Sequence, residues 1–507
     1  MVWKIPTIFA LATVLPSTLG KSVPPSSSNL QQVCTQIQRA VSSASEVFYP
    51  GNGLVTVLRA LPPYSSVQYT AVNAHWVSSS DQSSACAVEP GTAADVAVIL
   101  QLLGSTKTAF GVKGGGHTTN IGFSSTTGVQ ISMGRFSSVV YNAQNQTADI
   151  GPGLIWDDVY AALEPYGVVV AGGRVSGVGV AGYTLGGGYN WLTNQVGLTL
   201  DTVTAFELVK PNGQIVSVTA ETDADLFFGL KGGFNNFARH ARLGIVTKFT
   251  LKTFTRGNVW GGAIAYGADQ VPAVQAAIAN FAANNTDPKA QVIGAANFQN
   301  GTLSAATIMY YDGPTPAPGV FDEFLSIPSV FNNVSTRSFL AVVQAGAIST
   351  GPRGAFHVAT VLEFTPTTLA AVFNETTFWG NKLANDGEFL VSYNMEPFLP
   401  TLYSHGAASA YPPVRNGSYQ PINLDFSWNT AASDDIFHDA LRASAQQLTD
   451  VAVQAGQAVS QAPLYSNYAL AGTPLDRLYG DNLPRLKTIK ARVDPNNVMG
   501  LAGGWKF

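Results

Sequence analysis

Apolar residues recur along the chain at two spacings, and the changes between them mark out the elements. In "NLQQVCTQIQRAVSSA" they fall three and four residues apart, the period of a helix face. "ACAVEPGTAADVAVILQLLGST" reads as a strand, a Pro-Gly turn and a helix opened by Thr92. "TAFGVKGGGH", "GVQISMGRFSSVVYNAQNQTADIGPG" and "GQIVSVT" are short β-rich runs broken by Gly and Asn turns. "GLIWDDVYAALEPYG" predicts an amphipathic helix stopped by Pro165 and Gly167. This unit closes near residue 254 with "GIVTKFTLKTF". Beyond it the spacing lengthens. The strands "WGGAIAYG", "QVIGAANF" and "LSAATIMYYD" alternate with the helices "VPAVQAAIANFAAN" and "DIFHDALRASAQQLTDVAVQAGQ". That order predicts a second α+β unit, an antiparallel sheet with helices on one face. A basic helix in "DRLYGDNLPRLKTIKARVDPNNVMG", stopped by Asp-Pro, leads to a short "GGWKF" end.

The 507 residues allow two or three domains, and 46% hydrophobic against 11% charged residues can fill sizeable cores. A formal charge of −4 argues against a nucleic-acid partner, which would want a basic face. The N-terminus reads as a secretory signal over residues 1–20: "MVWK" gives the positive end, "IPTIFALATVLPSTLG" the apolar core, and the cut falls near Lys21. Pro6 and Pro16 argue against a buried first helix, and no later apolar run suits a bilayer span. A secreted, soluble monomer is expected, with no membrane partner. In an oxidising compartment the two cysteines, Cys34 and Cys86, most simply form one disulfide; two buried free thiols are the alternative. Sequons at Asn145, Asn284, Asn300, Asn333, Asn374 and Asn416 fit a glycoprotein.

Candidate chemistry begins at "VKGGGHTTNIG". Gly114, Gly115 and Gly116 offer φ > 0 and bare backbone N–H groups suited to an anion such as phosphate, and His117 follows them directly. A tight surface turn beside a polar residue is the plainer reading. About sixty residues on lies "GGRVSGVGVAGYTLGGGYNWLTNQVGLTLD". Its Gly177, Gly179 and Gly182 spell G-x-G-x-x-G, with Asp201 at the distance a dinucleotide fold would use. The context is wrong for that fold: the next helix would run through Gly186, Gly187 and Gly188, and no βαβ array opens there. Two Gly-rich loops in one domain can instead clamp an extended cofactor, its pyrophosphate held by backbone N–H groups without lysine or magnesium. No Walker motif, HExxH, CxxC pair or G-x-S-x-G elbow is present.

"GVKGGGHTTNIG", "GVGVAGYTLGGGYNWLTNQVGLTLDTV" and the basic tail together resemble the berberine-bridge-enzyme-like FAD-linked oxidases of the vanillyl-alcohol-oxidase superfamily. The resemblance covers nearly all of the mature chain. It implies a two-part PCMH-type FAD-binding fold, over residues 21–255 (core about 79–255) and 461–507, around an inserted α+β substrate domain at 256–460. It implies FAD joined covalently to His117, a pyrophosphate loop of Lys113, Gly114, Gly115, Gly116 and Thr118, and a Cys34–Cys86 pair. Ser176, Val178, Gly179, Gly182, Gly186, Gly187, Gly188 and Ile245 would lie along the flavin. "LYSNYAL" resembles the family's Tyr-x-Asn-Tyr strand, which implies Tyr465, Asn467 and Tyr468 at the reactive face.

Three features depart from the family pattern. Val175 stands where some relatives attach FAD a second time through cysteine, so a single histidyl link is implied. The stretch "ARHARL", residues 238–243, is extra, either a true loop or a mis-assigned splice site. Val178 is a small branched residue of the kind taken in this family to admit oxygen, which implies an oxidase. On this reading a small-molecule alcohol, sugar or secondary metabolite loses a hydride to FAD, and O2 then becomes H2O2. Tyr465 is the first candidate for the base and Tyr468 the second, and a tyrosine needs a partner that stabilises phenolate. Packing at a domain interface is the plainer role for either. Asp425 and Trp428 of "INLDFSWNT" lie on a candidate substrate-domain strand and serve either specificity or ordinary sheet structure. A dehydrogenase or oxidative cyclase using another acceptor, and a flavin-binding protein without turnover, are the rival functions.

Overall fold

The β-rich runs of the first half divide into two sheets. The computed structural model describes residues 27–51, 64–234, 243–346 and 352–506. The signal expected at 1–20 and residues 238–242 of the extra stretch lie outside them. The first sheet has the order β1 (Glu46–Phe48), β2 (Cys86–Glu89), β4 (Val129–Ser132), β3 (Phe110–Lys113). β2 and β3 run parallel to β4, and β1 is antiparallel to β2. The helix Ala93–Thr106 carries the chain between β2 and β3, and its cap is Thr92, whose side chain accepts the Asp95 N–H. Alternate residues of its strands, Cys86 and Val88, Phe110 and Val112, Val129 and Ile131, fill the core of this small sheet.

The second sheet is antiparallel. β5 (Val139–Asn142), β6 (Thr147–Ile150), β10 (Ile245–Thr255), β8 (Val203–Val209) and β9 (Ile215–Val218) follow in that order, and β7 (Val168–Val170) pairs with the far end of β10. The G-x-G-x-x-G sequence therefore follows an antiparallel strand, outside any parallel βαβ unit. A helix does open at Val180, but it is only seven residues long and ends at Gly186. Gly187 at φ +137° and Gly188 at φ +89° stop it, so the triple glycine terminates the helix rather than running through it.

The third sheet is antiparallel throughout. Its main path is β14 (Phe331–Asn332), β11 (Val259–Tyr266), β13 (Thr302–Tyr311), β12 (Ala290–Gln299), β17 (Glu388–Met395), β18 (Gln420–Trp428), β16 (Arg353–Val361), and β15 (Ser335–Arg337) pairs with β11. Helices Val271–Asn284, Pro366–Leu383 and Asp434–Gln454 pack on one face through residues such as Ile278, Val372 and Leu441. This matches the α+β class expected from the sequence. β16, β17 and the helix Pro366–Leu383 went unread there. That helix is rich in Thr and contains Gly380, so packing rather than propensity makes it. The sheet's other face turns toward the first half. One continuous core joins them, with Trp156, Leu192 and Phe249 in the same cluster as Ile293, Tyr310 and Val358. After Asp494 the chain returns to the first sheet: Met499 and Ala502 enter its core, and Ala502 bridges Phe110 in parallel.

Cys34, on the helix Ser27–Ala40, is bonded to Cys86 at the start of β2, 52 residues on. This staples the first described helix to the first sheet. Replacing both cysteines by serine should lower stability by about 4 kcal/mol through the freed loop alone. Denaturant unfolding of the variant beside the wild type checks this.

Candidate active site

The two Gly-rich loops touch each other. A Cβ on Gly115 would stand 2.5 Å from the Gly179 Cα, and one on Gly179 2.7 Å from Gly115, so both must be glycine for the loops to close. Asp157 shapes the second loop: its carboxylate accepts the Ser176 hydroxyl at 2.6 Å and the Gly177 N–H at 2.9 Å. Among the described residues no acceptor is assigned to the N–H groups of Gly115, Gly116 and Thr118. Such a run of free donors is an anion cradle. A Cβ added at Gly182 would enter open space, so a ligand can lie against that backbone. These observations fit the pyrophosphate and ring system of FAD.

Between the loops and the third sheet lies a cavity of about 510 Å³. His117 lines it, and burial pushes its pKa down to about 4, so the imidazole is neutral at physiological pH. The opposite wall is the free face of the sheet, where side chains of alternate residues point the same way. One cross-strand row on it reads Phe356, Asp425, Ser392, Asn297, Ser304, each opposite the next. The Ser392 hydroxyl donates to Asn297 Oδ1 at 2.7 Å. Asp425 has no hydrogen-bond or ion-pair partner among the described residues, and burial pushes its pKa up to about 7. Near it the Asn423 Oδ1 is buried and unpartnered.

A second polar group sits at the seam. Arg174 Nη2 lies 2.6 Å from Glu396 Oε2, with its guanidinium over the rings of Trp191 and Phe398. The Tyr468 hydroxyl donates to Glu396 Oε1 at 2.8 Å. Burial and that carboxylate raise the Tyr468 pKa well above the usual phenol value. Tyr465 differs: its oxygen accepts the Gly188 N–H at 2.9 Å and the Asn467 amide at 2.7 Å. Burial still pushes it up to about 12 despite those two donors.

Of the residues singled out in the sequence, Gly114, Gly115, Gly116, His117, Thr118, Val178, Gly179, Gly182, Tyr465, Asn467 and Tyr468 all line this one cavity, and so do Val175 and Asp425. Others do not. The Lys113 ammonium turns away to the carbonyls of Ala71 and Ala74, because strand alternation points it to the far side of β3. Ser176 is held by Asp157. Gly186, Gly187 and Gly188 lie behind Tyr465 and Asn467. Ile245 is buried in the first sheet's core, and its neighbour Val246 lines the cavity instead. Trp428 lies in the helix-side core and donates to Asp434 at 2.8 Å, a structural role.

Comparison with known proteins accounts for this arrangement. A family profile described as "FAD binding domain" matches residues 84–219, and one described as "Berberine and berberine like" matches residues 464–502. The FAD-dependent monooxygenase yanF of Aspergillus niger is 30% identical over 515 residues, covering 98% of this chain and 85% of its own. The chain belongs to the berberine-bridge-like FAD-linked oxidoreductases. Among solved structures, 6-hydroxy-D-nicotine oxidase from Arthrobacter nicotinovorans superposes with a TM-score of 0.73 at 18% identity, over 91% of this chain and 97% of that one. A carbohydrate oxidase from Microdochium nivale superposes with a TM-score of 0.69 at 19% identity, over 93% and 98%. Both share the fold. As a member of this family the chain is an FAD-dependent oxidoreductase.

Within the berberine-bridge-like frame, sequence reasoning missed Arg174, Glu396, Trp76, Phe356 and Asn423. Arg174 carried a signal, since it is the sole cation inside a Gly-rich loop of a weakly charged chain. Glu396 carried none, because the strand that delivers it was unread.

Proposed function

We propose that this oxidoreductase takes a hydride from a C–H bond of a neutral, hydroxyl-bearing small molecule, and that Asp425 takes the hydroxyl proton. The observation that carries this reading is the Asp425 carboxylate itself: buried, unpaired, facing the cavity, and held near neutral pKa where a general base works best. The row of Ser392, Asn297 and Ser304 beside it offers hydroxyl and amide partners. Among the described residues the one cation on the wall, Arg174, is already neutralised by Glu396, which favours a neutral substrate. Tyr465 and Tyr468 take supporting roles. The phenol of Tyr468 is committed to Glu396, and Tyr465, with two donors on its oxygen, turns its own hydrogen toward a substrate atom. FAD supplies the two-electron acceptor, held by the loop N–H groups and joined to the neutral imidazole of His117. The small Val178 on the wall supports O2 as the final acceptor, with H2O2 released. The secretory signal supports export. Asn145, Asn284, Asn300, Asn374 and Asn416 are exposed, so glycans there would clear the fold.

The test is to screen the purified yellow protein in air for H2O2 against sugars, benzylic alcohols and hydroxylated polyketides. Release of H2O2 matched by anaerobic bleaching supports the oxidase. Bleaching without H2O2 in air means a dehydrogenase, and no bleaching with any compound of the screen means a binding protein.

A further inference from the structure

Three rings from separate stretches of chain meet at His117. The Trp76 indole lies flat on the imidazole, centroids 4.5 Å apart and planes 13° apart. Phe356 of β16 stands 5.3 Å from Trp76 and 6.3 Å from His117. The stretch carrying Trp76 is tied on both sides. Toward the first half, the Trp76 N–H donates to the Gly116 carbonyl at 3.0 Å, next to His117. Lys113 Nζ donates to the carbonyls of Ala71 and Ala74 at 3.2 and 2.8 Å. Toward the third sheet, Ser78 donates to Pro352 O through its N–H at 2.8 Å and its hydroxyl at 2.7 Å. The Ser79 hydroxyl donates to Gly354 O at 2.9 Å and accepts the Gly354 N–H at 3.1 Å. The Phe356 N–H donates to Thr119 Oγ1 at 3.2 Å.

We propose that Trp76 is a positioning residue for flavin attachment, setting the plane of the His117 ring so that a nitrogen faces the 8α carbon of FAD. This rests on the reading of His117 as the attachment site. An imidazole turns easily about its Cβ–Cγ bond, whose torsional minima are broad. The glycines before His117 bring no side chain to hold it. A stacked indole supplies a flat wall, and the ladder of hydrogen bonds fixes that wall to both sides of the cavity. Burial keeps the imidazole unprotonated, so its nitrogen is available. Attachment exchanges the imidazole N–H and one 8α C–H for a C–N bond. The two protons and two electrons released go to O2, which leaves as H2O2. Its rate depends on the approach of nitrogen to carbon, where displacement by about 1 Å costs on the order of 100-fold.

Apoprotein from a riboflavin-starved host is given FAD, quenched in acid at intervals, and scored for flavin fluorescence in the denatured band. Unquenched samples passed through gel filtration give total flavin uptake. Trp76→Leu keeps apolar bulk but loses the flat face, and should attach FAD at least about tenfold more slowly while total uptake stays equal. Trp76→Phe restores a flat ring and should recover most of the rate. Trp76 is only half-buried, so neither change opens a core; should Trp76→Leu fail to fold, Trp76→Met gives the same comparison. Equal attachment rates in the wild type and the aliphatic variant overturn the proposal, as does a Phe variant as slow as the aliphatic one. A wild type that never attaches FAD would instead remove the reading of His117, and with it the basis for Trp76.

Discussion

With His117→Ala, acid precipitation should release all of the flavin into the supernatant, whereas the wild-type pellet should stay yellow. The all-or-none outcome follows from what else lines the cavity. The two cysteines are bonded to each other in the core of the first sheet and neither lines the cavity. Val175, at the position where some relatives carry a second linking cysteine, lines the wall and has no nucleophile. The imidazole of His117 is neutral at any pH well above about 4, so protonation does not compete with attachment under physiological conditions. The anion cradle of Gly115, Gly116 and Thr118 is untouched by the substitution, so FAD should still bind without the bond. Flavin left in the variant pellet would reveal another attachment point. Free flavin from the wild type would refute the linkage itself.

Asp425→Asn should slow anaerobic flavin reduction by about 10²- to 10⁴-fold while making the protein more stable, two effects of opposite sign from one atom exchange. The carboxyl has a folded pKa of about 7, pushed up by burial from an ordinary value near 3.8. Between those values the folded protein holds a proton that the unfolded chain has lost. Stability contributed by the neutral form is therefore full below the unfolded value, falls as pH rises between the two, and is lost once the folded value is passed. Asparagine is neutral throughout, so the variant's melting temperature should exceed the wild type's at about pH 8 and converge with it near about pH 4. Wild-type reduction should accelerate with pH up to about 7 and then level, as the base becomes ionised, and the variant should lose that rise. Unchanged reduction kinetics in Asp425→Asn would move the base to Tyr465, and Tyr465→Phe would then be the slow variant.

How legible each part was follows from how local its cause is. Three glycines and a histidine are adjacent in sequence, and glycine is demanded there by close backbone approach, so the cradle could be read from the letters. Tyr465, Asn467 and Tyr468 share one short segment for the same reason. The Arg174–Glu396 pair spans 222 residues, and Trp76 meets Phe356 only because the stretch that carries it docks on β16 of the third sheet. Nothing in either neighbourhood announces the partner. Lys113 shows the converse: the resemblance implies a place in the pyrophosphate loop, but its ammonium turns from the cavity to the carbonyls of Ala71 and Ala74, because in a strand adjacent side chains face opposite ways. Asp425 was visible only as a residue of a candidate strand. Its lack of a partner, which gives it a chemical role, belongs to the folded state.

The return of the chain's end to its earliest sheet imposes an order on biosynthesis. Phe110, Val129 and the helix Ala93–Thr106 leave the ribosome long before Met499 and Ala502, yet they share one core with them. The first half therefore waits, incompletely packed, while the whole third sheet and its helices are made. Tyr465 and Asn467, on the cavity wall, also arrive late. Loss of the stretch that carries Met499 and Ala502 would therefore strike the first sheet as directly as a lesion within it.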